Sequence, residues 1–77
     1  MLKILIADDE QIERRYLKNL LQKHRALYQI VGEAATGEEV LKLTSQLKPD
    51  VIIMDINMPS MSGLDSANLI KKKYPNI

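Results

Sequence analysis

The chain has 77 residues, of which 45% are hydrophobic and 27% charged, and a formal net charge of +1. This composition excludes a disordered polar chain, and the near-neutral balance gives no basic footprint for gripping nucleic acid. With no Cys there is no disulfide framework or thiolate zinc site, which suits a reducing cytoplasm, and the longest apolar stretch, around Val51 to Met54, is too short for a bilayer.

Leu2 to Ala7 is a short apolar run ended by Asp8, Asp9 and Glu10, the pattern of a strand buried on both faces. Ile12, Tyr16, Leu17, Leu20, Leu21 and His24 then recur at three- and four-residue steps among Glu13, Arg14, Arg15 and Lys18, which predicts an amphipathic helix. Ile30 and Val31 lead a weaker second strand through Gly32 to Ala35. Thr36-Gly-Glu-Glu39 has the spacing of a capping box, with Thr36 bonding the amide of Glu39 and Glu39 reaching back. The second helix carries Val40, Leu41, Leu43 and Leu47, and Pro49 bars its continuation.

Val51 to Met54 reads as a third strand, again apolar throughout and again ended by a carboxylate, Asp55. Pro59, Ser60, Ser62 and Gly63 supply a tight loop, and Ser62 is positioned to cap a third helix whose buried side would hold Leu64, Ala67, Ile70 and Tyr74 before Pro75. Strand and helix alternating three times predict an α/β fold with a parallel sheet and right-handed crossovers, here limited to about three βα units in one domain, residues 1–77. With helices on both faces and bare outer edges, this architecture reads as unfinished.

Ligands of open α/β sheets sit beyond the carboxyl ends of the strands. If the strand order is 2-1-3, Asp8, Asp9 and Asp55 meet there, and at about 4 Å and an effective dielectric near 20 each pair repels by roughly 4 kcal/mol. A hard cation such as Mg²⁺ or Mn²⁺ answers that repulsion.

The DDE after the first strand, the Asp ending the third, and the following Ile-Asn-Met-Pro-Ser-Met-Ser-Gly resemble the receiver domains of two-component response regulators, along the whole chain. The resemblance implies a flavodoxin-like sheet and a phosphoacceptor signalling module rather than an enzyme in its own right, although family members assist their own phosphorylation. By that likeness Asp55 is the phosphoacceptor, Asp9 and Asp55 are the carboxylate ligands of Mg²⁺ or Mn²⁺, and Asp8 acts through water. Asn57 supplies a backbone carbonyl, and Pro59 and Gly63 shape the loop. The donor would be a phosphohistidine of a sensor histidine kinase.

The family pattern continues with a Ser or Thr ending strand four and a Lys ending strand five, and both are missing from these 77 residues. The chain thus reads either as a fragment or as a short native variant, the stop soon after Pro75 favouring a fragment. Any DNA binding is expected in an output domain outside these residues. The opening MLKILIADDEQIERRYL run leans toward receivers joined to AraC-type DNA-binding domains. With strand three left as an edge, the chain is expected to form a homodimer or higher oligomer through Val51 to Met54 and the third helix.

Plainer readings stand beside these. Asp8-Asp9-Glu10 alone could be a helix start favoured by the dipole, Asn57 alone a turn residue, and Met54, Met58 and Met61 packing or loop residues. His24 has no partner acid in sequence and receives no role. Lys71-Lys72-Lys73 complement a helix C-terminus, and Arg14, Arg15 and Lys18 are basic residues on the helix that the family uses for kinase docking. A phosphatase of the haloacid-dehalogenase type would need a second Asp two residues after the nucleophile, and Asp8 is followed by Asp9, Glu10 and Gln11. The remaining alternative is a fragment that performs no phosphotransfer and acts only by self-association.

Overall fold

The computed structural model describes residues 1–56, 58 and 63–77. The chain order is β1 (Leu2–Ala7), α1 (Gln11–Gln22), β2 (Tyr28–Ala34), α2 (Gly37–Leu47), β3 (Val51–Met54) and α3 (Gly63–Lys73). The three strands form one parallel sheet in the order β2-β1-β3. Reaching β2 from β1 and then β3 from β2 moves the chain in opposite directions across the sheet. Right-handed crossovers therefore place α1 on one face and α2 on the other.

β1 is central, and its side chains alternate between those faces. Leu5 and Ala7 share a buried cluster with Ala34, Val40, Met58 and Ile70, bordered by Leu41, Leu43, Ile52, Met54 and Tyr74. The register explains the grouping, because Leu5 pairs with Ile52 and Ala7 with Met54. Ile4 and Ile6 are also buried and look the other way, toward the α1 side, paired with Val51 and Ile53. Asp50 fixes the register of β3 by accepting the Lys3 amide on Oδ2 at 2.8 Å while its own amide donates to the Lys3 carbonyl at 2.8 Å.

The β1–β2 register slips between Ile4, opposite Ile30, and Leu5, opposite Gly32, so Val31 is the extra residue of a bulge. Gly32 sits where a Cβ would lie 2.9 Å from Leu47 Cδ1 and 3.3 Å from Leu5 Cδ1, and its missing side chain is what lets α2 close on the sheet. The capping box forms with a one-residue offset. Thr36 Oγ1 accepts the Glu39 amide at 3.2 Å, while Glu39 Oε1 accepts the amide of Ala35 at 3.0 Å. Lys48, left-handed at φ 47°, ends α2 ahead of Pro49.

Two apolar stripes differ from the sequence reading. On α1 only Leu17 and Leu21 turn toward the sheet, and both are half-buried; Ile12 and Tyr16 are 79% and 66% exposed, and Leu20 is exposed as well. The helix rests mainly on β2 and the adjoining flank of β1, a surface narrower than its apolar arc. His24 lies past the helix in the turn to β2, exposed, its ring edge-on to Tyr28. On α3 the buried residues are Ser66 and Ile70, four apart, with Tyr74 half-buried, whereas Leu64 and Ala67 are exposed. α3 meets α2 rather than lying flat on the sheet, and that contact selects a different face. The expected cap Ser62 lies outside the described residues.

Candidate functional site

Hydrogen bonds on both flanks pin the carboxyl end of β1. The Asp8 amide donates to the Ala34 carbonyl of β2 at 3.0 Å, and the Asp55 amide donates to the Ala7 carbonyl at 2.9 Å. Asp8, Asp9 and Asp55 are consequently neighbours, and one carboxylate oxygen from each lies within 4.8 Å of the others. The three differ in setting. Asp8 is only 5% exposed, Asp55 is half-buried, and Asp9 is exposed.

Asp8 Oδ1 accepts the Glu10 amide at 2.9 Å, a local turn that leads into α1. Glu10 is the N-cap residue and makes no side-chain cap bond of its own. Asp8 thus shapes the turn into α1, and Asp9 brings a carboxylate oxygen to the cluster.

Two features escaped the sequence reading. Glu13, in the first turn of α1, has its carboxyl pushed up to about 7, first by a side-chain hydrogen bond with Asp8 and then by the charges of Asp8, Glu10 and Asp55. It is a fourth acid at the edge of the site, and the available signal was its place in the first turn of a helix that begins directly after the acidic corner. Arg14 turns inward instead of belonging to an open basic surface. Its Nη1 donates to the Asp8 carbonyl at 2.6 Å and its Nε to Glu33 Oε1 on β2 at 3.2 Å. Lys18 Nζ donates to Glu33 Oε2 at 3.0 Å. Glu33 is held below the usual carboxylate range, foremost by the Lys18 hydrogen bond, then by the charge of Lys18 and by Arg14. Of the three basic residues considered for docking, only Arg15 is left outside this network.

The donor set fits a hard divalent cation. Such an ion takes one or two carboxylates directly and keeps several waters, which three carboxylates within 4.8 Å of one another can serve. Asn57 and Pro59 lie outside the described residues, and Gly63 opens α3.

Residues 4–77 match the response regulator receiver domain family. The chain belongs to that family. It is 39% identical over 77 residues to the response regulator GacA of Pseudomonas aeruginosa, covering all of this chain and 36% of that protein. It is 42% identical over 74 residues to the chemotaxis protein CheY of Thermotoga maritima, covering 96% of this chain and 60% of that one. Among solved structures, the response regulator domain of Thermotoga maritima CheB superposes with a TM-score of 0.92 at 37% identity, covering 99% of this chain and 56% of that one.

The chain thus spans about a third of the length of GacA and less than two thirds of CheY. The flavodoxin-like receiver fold, with three parallel strands in the order 2-1-3, is that of these neighbours. Receiver domains are signalling modules, and a cluster of three aspartates stands at the strand ends of this one. The relatives carry different names and roles, so the lean toward an AraC-type partner is not shown. Among the described residues, no helix is long and apolar enough to cross a membrane.

Proposed function

We propose that Asp55 accepts a phosphoryl group from a phosphohistidine of a sensor kinase, in a cytoplasmic signalling protein whose DNA contacts, if it has an output domain, lie outside these residues. The observation that carries this reading is the meeting of Asp8, Asp9 and Asp55 at the ends of two adjacent strands, in a chain of the receiver family. Asp9 and Asp55 would hold Mg²⁺ or Mn²⁺ directly and Asp8 through water, with the Asn57 carbonyl completing the set and Pro59 and Gly63 shaping the loop. When bound, the cation neutralises charge on the phosphoryl oxygens.

A carboxylate oxygen of Asp55 attacks phosphorus, the O–P bond forms as the P–N bond breaks, and the departing imidazole keeps the electron pair and regains a proton from solvent. Asp55 serves as nucleophile because its carboxylate stands at the strand end and is only half-buried. Intact-mass measurement after incubation with acetyl phosphate and Mg²⁺ tests this. A single phosphoryl adduct mapping to Asp55 and absent from Asp55→Asn is expected. An adduct elsewhere, or one that survives the substitution, contradicts it. The family's hydroxyl and ammonium are not among these 77 residues, so transfer should be slow here and faster in a longer chain that carries them.

A second reading, self-association of the 77-residue chain, is favoured by β3. Among the described residues it pairs with β1 alone, Val51 is 39% exposed, and an open edge recruits strands. Light scattering at micromolar concentration decides. A mass at or above the dimer supports association near Val51 to Met54 and α3, and a cooperatively unfolding monomer refutes it.

A further inference from the structure

Asp8 is tied to the sheet by its amide, which donates to the Ala34 carbonyl, and the peptide joining it to Asp9 is held at its carbonyl by the Arg14 side chain. The guanidinium is itself anchored, because Glu33 on β2 accepts from its Nε and is held in turn by Lys18. The Arg14 side chain is 18% exposed. A planar fork that spans a backbone carbonyl and a carboxylate at once is something arginine provides and lysine does not.

Charge alone gives no reason for a cation here. Arg14 stands beside a cluster of carboxylates suited to a divalent metal, and its positive charge opposes the arrival of that metal. Its contribution must lie in geometry. We propose that Arg14, tethered to β2 by Glu33, is the positioning residue of the acidic site, holding the Asp8 carbonyl and with it the peptide that carries Asp9, so that the exposed ligand keeps its place beside Asp55. The proposal rests on the reading of the three aspartates as a metal site. Groups that orient metal ligands from behind typically matter by 10- to 100-fold in affinity.

The two accounts of Arg14 differ in sign, which makes the test sharp. Mn²⁺ binding to the full chain, followed by water-proton relaxation with Mg²⁺ competition, is compared among the parent, Arg14→Gln, Arg14→Lys and Glu33→Ala. Amide hydrogen exchange at Asp9 and Glu10 is measured in the same proteins without metal. Positioning predicts that Arg14→Gln weakens Mn²⁺ binding by about 10-fold, that Arg14→Lys does not restore it despite keeping the charge, and that Glu33→Ala weakens it by a smaller factor. Exchange at Asp9 and Glu10 should rise in all three variants. Unchanged or tighter binding by Arg14→Gln overturns the proposal, as does full recovery by Arg14→Lys.

If the Arg14 variants fail to fold by circular dichroism, Glu33→Ala decides, since it keeps the guanidinium and removes the acceptor that anchors it; parent-like affinity and exchange there overturn the proposal. If the parent itself binds no Mn²⁺, the metal reading fails. Exchange at Asp9 and Glu10 then still tells whether Arg14 holds the peptide, with parent-like exchange in the variants overturning the proposal.

Discussion

β1 and β3 are nearly interchangeable as strings of apolar residues, Ile-Leu-Ile-Ala against Val-Ile-Ile-Met, yet the fold treats them differently. β1 is paired on both sides, with Ile4 to Ala7 buried throughout, whereas among the described residues β3 is paired on one side and begins with an exposed valine. The difference extends to the acids that follow them. Asp8 continues the well-covered strand, buried and bonded through its amide, carbonyl and Oδ1, while Asp55 continues the edge strand and is half-buried. One strand supplies a fixed corner and the other a half-buried carboxylate, the division of labour that the proposed acceptor site calls for.

The largest expected effect lies on β1. Leu5→Ala, at a position with no exposed surface, should cost about 3 kcal/mol in chemical denaturation, and Ile53→Ala on β3 about half of that. Equal costs would break the contrast between the strands. Next, Mg²⁺ at ten times its dissociation constant should stabilise the chain by about 1.4 kcal/mol, and a thermal scan should lose that gain in Asp9→Asn. Thr36→Ala, which removes the α2 cap bond away from both strand ends, should cost about 1 kcal/mol and leave metal affinity unchanged.

The smallest effect concerns acid. Glu33 sits below its ordinary value of 4.5 because Lys18 hydrogen-bonds it, so its stabilisation is present above 4.5 and is lost as pH falls through the lower folded-state value. Its side chain is about one-third exposed, and solvent screening limits the effect to a few tenths of a kcal/mol. Acid unfolding of Glu33→Gln should show a shallower loss of stability below pH 4.5 than the parent, and an identical acid limb would remove the ion pair from the account.

The strand order and the meeting of Asp8, Asp9 and Asp55 were legible because apolar runs ending on acids, separated by helical periods, leave few parallel topologies. The capping box at Thr36 was legible from local spacing alone. What periodicity could not show was which part of an apolar arc finds a partner. Ile12, Tyr16 and Leu20 have the right spacing, but α1 lies over a narrow flank of the sheet, and the buried side of α3 is set by α2 rather than by hydropathy. The bonds of Arg14 were not legible for a related reason. A basic residue in a run of basic residues carries no local sign of its partners, and its bonds to Asp8 and Glu33 span six and nineteen positions of sequence. Only the β1–β2 pairing brings those groups together.

The central claim is that the ends of β1 and β3 form one divalent-cation site, and Mn²⁺ titration of four chains tests it most directly: the parent, Asp9→Asn, Asp55→Asn and Asp50→Asn. Asp50 is the control, an acid at the opposite end of β3 whose Oδ2 bonds the Lys3 amide. The account predicts saturable one-site binding in the parent and in Asp50→Asn, and its loss in Asp9→Asn and Asp55→Asn. Binding that survives both of those substitutions, or that falls equally in Asp50→Asn, would contradict it.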